Sequence, residues 1–96
     1  SSQDESVNDV IRRACLIYKI HPSDVLSKVK RRPLIDCRFL IWHYLSKKQR
    51  LSPAEIAKLF THDRTSVYHG IKKMDDLLVT DQEVRRCYHM LDRSMG

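Results

Sequence analysis

The sequence predicts an all-α protein, a six-helix bundle that contains a helix-turn-helix, and three observations lead there. Only 2 glycines and 3 prolines occur in 96 residues, too few turn formers for the many short strands of a sandwich or barrel. Apolar residues recur at three- and four-residue spacing through most of the chain. Two Ser/Thr-x-x-Glu boxes stand where new periodic runs begin, as helix starts require. With 42% hydrophobic and 31% charged residues, the chain fits one small folded domain rather than a disordered tail.

Residues 1–6 are polar and acidic, with no apolar spacing and no hydrophobic signal core, and are expected to form a disordered tail ahead of a single domain over 7–95. From Val7, the residues Val10, Ile11, Ala14, Ile17 and Tyr18 fall on one face of a first helix reaching Ile20, with Arg12, Arg13 and Lys19 mainly on the other. His21-Pro22 interrupts it, and Pro22 suits the first turn of a brief helix through Ser27. Residues 28–33, Lys-Val-Lys-Arg-Arg-Pro, lack a packing stripe and read as an exposed basic loop.

Leu34 to Lys48 carries too many large apolar side chains for a surface helix. Leu34, Cys37, Ile41, Tyr44 and Leu45 form its inner stripe, and Phe39, Leu40 and Trp42 widen it, so this is the central helix. Ser52-Pro53-Ala54-Glu55 is a capping box with proline at the first helical position. The short helix it opens runs to Phe60, with Ile56, Leu59 and Phe60 inward. After Thr61-His62-Asp63, a longer helix begins at Arg64, with Val67, Ile71, Met74 and Leu78 inward, giving a helix-turn-helix over 52–78. Thr80-Asp81-Gln82-Glu83 is read as a second capping box. It opens a last helix that carries Val84, Cys87, Tyr88, Leu91 and Met95.

In a DNA-reading helix-turn-helix, the second helix presents its N-terminal turn to the major groove. Here that turn is Asp63-Arg64-Thr65-Ser66: Arg64 can bond a guanine bidentately, Thr65 offers a hydroxyl and a methyl, and Ser66 can donate to base or phosphate. The bland reading leaves Asp63 as a helix cap and Arg64 as a solvated charge. His69, one turn on, either braces this helix or satisfies a carbonyl at the core edge.

Charge concentration favours the nucleic-acid reading. The formal net charge is +6, yet residues 28–50 alone hold eight cations, Lys28, Lys30, Arg31, Arg32, Arg38, Lys47, Lys48 and Arg50, against the single acid Asp36.

Other chemistries find little footing. Cys15, Cys37 and Cys87 are widely spaced within apolar runs and read as reduced core thiols. Cys87-x-His89 diverges by about 200° on a helix, so no metal is expected. No cofactor and no catalytic residue is expected, so the chain reads as a non-enzyme. Trp42 and Tyr44 sit in the most apolar helix and read as core rather than as stacking platforms. The longest apolar stretch, 39–45, is far below the roughly 20 residues of a membrane span, and a cytoplasmic, nucleoid-associated protein is expected.

Tyr18-Lys19-Ile20, Asp24 through Lys28, the basic loop, Arg38, Ala54-Glu55-Ile56-Ala57, Phe60 and above all Asp63-Arg64-Thr65-Ser66-Val67-Tyr68-His69 resemble the C-terminal DNA-binding domain of the bacterial replication initiator DnaA. The resemblance covers about residues 7–95 and implies a Trp-repressor-like helix-turn-helix bundle that binds double-stranded DNA. It implies that Asp63, Arg64, Thr65 and Ser66 face the major groove and that Lys30 or Arg31 enters the minor groove, and the Lys28 to Arg32 stretch of the basic loop is expected to bind DNA by clamping backbone and minor groove. Lys28 and Arg38 would touch phosphates, and Pro53 and Ala54 would approach the DNA at the start of the first helix of the motif.

The sequence also departs from that family. Arg64 stands for His, Ser66 for Thr and Phe39 for Gln, and the Thr61-His62 turn is one residue shorter, so the preferred site is expected to differ. No phosphate loop occurs, since the glycines are only Gly70 and Gly96, so nucleotide hydrolysis by that route is not expected and no small-molecule substrate is implied. A rival reading is an adaptor that keeps the fold and offers its basic surface to an acidic or replication-regulating protein partner.

Overall fold

The structure, a computed structural model, describes the backbone of residues 2–96 and the side chains of residues 5–96. Within these, six helices and no strand occur: α1 (Ser2–Tyr18), α2 (Pro22–Leu26), α3 (Leu34–Lys47), α4 (Pro53–Phe60), α5 (Arg64–Thr80) and α6 (Gln82–Met95). The body measures 32 × 27 × 24 Å. No helix of the described residues is long and apolar enough to cross a membrane.

Every residue of α3 from Leu40 to Leu45 is buried, so this helix must be covered on several sides, and α1, α2, α4 and α5 all pack on it. The last helix, α6, closes against α1 and α5. Trp42, only 1% exposed, is the largest side chain at the centre; it meets Phe60 edge-on with ring centroids 5.9 Å apart. Tyr44 is core as well, and all three cysteines are buried and unpaired.

His43 joins three helices. The Asp75 carboxylate on α5 accepts from Nε2–H at 2.7 Å, which in the neutral ring leaves Nδ1 to accept from the Tyr88 hydroxyl of α6 at 3.0 Å. This buried polar side chain thus has both ring nitrogens paired.

The capping box on α4 is complete: the Glu55 N–H donates to the Ser52 hydroxyl at 3.2 Å, and the Ser52 N–H donates to the Glu55 carboxylate at 3.0 Å. Two helix starts and one inward face differ from the expectation. The polar residues 2–6 extend α1 instead of forming a tail: Ser6 is half-buried and its hydroxyl accepts from Gln49 Nε2 at 2.8 Å, a tertiary tie that apolar spacing cannot reveal. In α4, Ala57 takes the inner position and Leu59 is 45% exposed, because eight residues give only two turns of inward face. The cap of α6 is Asp81, whose carboxylate accepts from the N–H groups of Glu83 and Val84. Thr80 is not the cap: it ends α5 and donates its hydroxyl back to the Asp76 carbonyl at 3.0 Å.

Candidate nucleic-acid interface

The short helix ends at Thr61, which adopts the left-handed conformation (φ 56°, ψ 41°) and turns the chain sharply. The N–H groups of Thr61 and His62 both donate to the Ala57 carbonyl, satisfying a helix-end acceptor twice. Asp63 then caps α5, its carboxylate accepting from the Ser66 N–H at 2.7 Å. Hydrogen bonding from Ser66 holds the Asp63 carboxyl below the usual carboxylate range. Around this cap, Arg64, Thr65 and Ser66 are all exposed on the first turn of α5.

Two contacts seat the motif on α3. His62 packs edge-on against Trp42, with centroids 5.1 Å apart. Gly70 lets α5 approach so closely that a Cβ built there would lie 2.7 Å from both the Phe39 and Trp42 rings.

The basic loop lies beside this seat. A cleft of about 240 Å³ is lined by exposed Lys30, Ser66 and His69 together with the more buried Ile35, Arg38, Phe39, Trp42 and His62. Desolvation lowers the His62 pKa from its ordinary value, and the charges of Arg38, Lys28 and Lys30 push it the same way. A smaller notch of about 210 Å³ is bounded by Pro53, Arg64, Thr65 and Tyr68, bringing the start of α4 to the start of α5. Ala54, next along from Pro53, is exposed.

Eleven side chains were singled out by sequence, and their environments diverge. Lys30 and Ser66 line the larger depression, Pro53, Arg64 and Thr65 the smaller, Asp63 caps the helix between them, Lys28 acts electrostatically on His62, and Arg31 is exposed in the loop. Arg32 turns elsewhere: it pairs with Asp36 at 2.8 Å and approaches Asp81 at 3.6 Å, toward the α5–α6 junction.

Arg38 is only 2% exposed, although it lines the same cleft as Lys30 and Ser66. Its Nε donates to the Val25 carbonyl at 3.0 Å, and its Nη2 donates to the carbonyls of Ser27 at 2.6 Å and Val29 at 2.9 Å. The donors on Nε and Nη2 are thus engaged by the backbone at the end of α2 and the start of the loop, and not presented at the surface. His69 is exposed at the cleft rim, neither a brace nor a core-edge residue.

Sequence reasoning passed over Tyr68, 51% exposed, whose ring lies 5.7 Å from the Lys72 ammonium. The four-residue spacing of Arg64, Tyr68 and Lys72, all on one helix face, was the available signal. Among the described residues no cluster of three or more His, Cys, Asp or Glu side chains is arranged to hold a metal ion.

A capped two-helix motif with the N-terminal turn of its second helix open to solvent, set in an all-helical bundle, defines a helix-turn-helix domain. No family model matches the chain. It is similar to chromosomal replication initiator proteins DnaA. Identity is 37% over 90 residues to that of Rickettsia africae, covering 90% of this chain and 19% of the relative. To that of Ruegeria pomeroyi it is 26% over 96 residues, covering 99% and 20%, and to that of Jannaschia sp. it is 23% over 91 residues, covering 94% and 19%. The chain thus spans about a fifth of the length of the curated relatives it matches.

Proposed function

We propose that this chain is a non-enzymatic module that binds double-stranded DNA sequence-specifically. Arg64, Thr65 and Ser66 would read the major groove, and the loop carrying Lys28, Lys30 and Arg31 would engage phosphate and minor groove. The observation that carries this reading is the shared cleft: Lys30 of the loop and Ser66 of the recognition turn, both exposed, line the same depression, so one duplex surface can meet both. Asp63 supports the same reading from underneath, since its cap fixes the turn from which the three readers project. Similarity to replication initiators supports a role in replication initiation or its regulation.

Selection of bound duplexes from a random pool tests the reading, followed by titration at several salt concentrations. A single sequence class should be enriched. Neutralising about four phosphates should make log K fall with log salt at a slope near −4. Arg64→Ala should cost about 1–3 kcal/mol and relax preference at one base pair while leaving the salt slope within about one unit. If no sequence is enriched and Arg64→Ala/Thr65→Ala binds as wild type does, specific readout fails, and an adaptor that binds an acidic protein partner becomes the better account.

A further inference from the structure

We infer that Arg38 is a positioning residue: it holds the basic loop in register beside the recognition helix by donating to three of the backbone carbonyls that lead into that loop.

At its far end the loop is tied by Arg32, which pairs with Asp36 and approaches Asp81, but residues 28–31 have little besides Arg38 to order them. Lys28, Val29, Lys30, Arg31, Arg32 and Pro33 are all exposed, so hydrophobic burial does not fix their path. The local bonds are short-range: the Ser27 hydroxyl donates to the Asp24 carbonyl, the Val29 N–H reaches the Ser27 hydroxyl at 3.4 Å, and the Ile35 N–H donates to the Arg31 carbonyl at 2.9 Å. Among the described residues, the Arg38 guanidinium is the one hydrogen-bond donor from another element that reaches Ser27 and Val29. It arrives from α3, the helix on which Gly70 also seats α5. Loop and recognition helix are thereby referenced to the same rigid element.

Arginine chemistry suits this task and lysine chemistry does not. The planar fork reaches the carbonyls of Val25, Ser27 and Val29 from two nitrogens at once, whereas an ammonium on a flexible stem is a compact point charge. No carboxylate is bonded to Arg38; three carbonyl dipoles do the compensating for a nearly buried cation. Desolvation lowers its pKa, the direction expected of a cation without an acidic partner.

This inference rests on the DNA-binding reading and makes a different demand of it. A phosphate-contacting arginine is replaced tolerably by lysine, and its loss flattens the salt slope by about one. For a positioning arginine, charge alone is insufficient. If Arg38→Lys leaves the loop correctly placed about a tenth of the time, apparent Kd rises about tenfold. The Lys30→Ala penalty should then shrink in the Arg38→Lys background, because a misplaced loop no longer delivers Lys30.

Binding of the selected duplex by wild type, Arg38→Lys, Lys30→Ala and the double variant, with melting curves for each, gives this cycle. Wild-type affinity in folded Arg38→Lys, or additive penalties, would overturn the inference while leaving DNA binding intact. Absence of duplex binding by the wild type would overturn the functional reading and this one with it. Should Arg38→Lys fail to fold, the wild-type protein answers alone: the Arg38 Nε–H and Nη–H resonances should hold their carbonyl-bonded shifts when duplex is added, and a shift of the Nη protons onto phosphate would refute the positioning role.

Discussion

Replacing Gly70 by alanine adds one methyl group where α5 crosses α3, and the structure fixes what it would meet. The new Cβ would stand 2.7 Å from Phe39 Cδ1, 2.7 Å from Trp42 Cε3 and 2.9 Å from Phe39 Cε1. To bring these separations to the 3.4 Å at which ordinary contact begins, the rings must retreat by about 0.7 Å, or α5 must lift. Trp42 has nowhere to go: it is 1% exposed and wedged between Phe60 and His62. Overpacking of this kind costs about 1–3 kcal/mol, whereas the helix propensity of alanine over glycine returns about 1 kcal/mol.

With two rings struck at once, the upper part of that range applies, for a net loss of about 1–2 kcal/mol. In a domain of this size that lowers Tm by roughly 5–15 °C. Thermal melting by circular dichroism measures it. Adding Phe39→Ala, which removes one of the two rings from a half-buried position, should recover part of the loss, so the double variant should be less destabilised than the sum of the singles. A Gly70→Ala protein as stable as wild type would refute the close approach and, with it, the claim that α5 is rigidly seated.

Two further outcomes separate the cations and the histidine. Lys30→Ala should weaken binding to every duplex and flatten the salt slope by about one, whereas Arg32→Ala should leave both nearly unchanged, since its exposed pairs with Asp36 and Asp81 are worth at most about 1 kcal/mol; fluorescence anisotropy across salt concentrations distinguishes them. His62 is held below its ordinary value of 6.5 in the fold by desolvation and by Arg38, Lys28 and Lys30. The unfolded chain therefore takes up the proton first, so stability present above pH 6.5 declines as pH falls through the lowered folded value. Denaturant melts from pH 7.5 down to 5 should show a decline that His62→Gln makes shallower; an identical decline in the variant would sink this assignment.

The parts of the fold that were legible in sequence are those where one local rule suffices. Ser52 and Glu55 satisfy one another across three residues, so their helix start could be read directly. The stripe from Leu34 to Leu45 announced a central helix because no single-faced packing could bury it. Burial of Arg38 and His43 could not be read in the same way, since each is compensated by partners distant in sequence: Val25, Ser27 and Val29 for one, Asp75 and Tyr88 for the other. Counting Arg38 among surface charges was the natural result. The place of Ser6 in α1 was hidden for the same reason, its partner being Gln49, 43 residues away. Of the candidate site, the turn from Asp63 to Ser66 was visible from spacing. That Lys30 shares a cleft with it, and that Arg32 faces elsewhere, depends on how the bundle closes.

On the DNA-binding reading proposed above, the dimensions of the bundle limit how much sequence one copy would address. A body at most 32 Å long is shorter than the roughly 34 Å repeat of B-form DNA, so a single copy lying on one side of a duplex covers no more than about ten base pairs. Two copies on sites one repeat apart would lie side by side on the same side of the duplex with almost no gap. Tandem sites at that spacing could be filled one beside another, and half-repeat spacing would place neighbours on opposite sides, out of each other's reach.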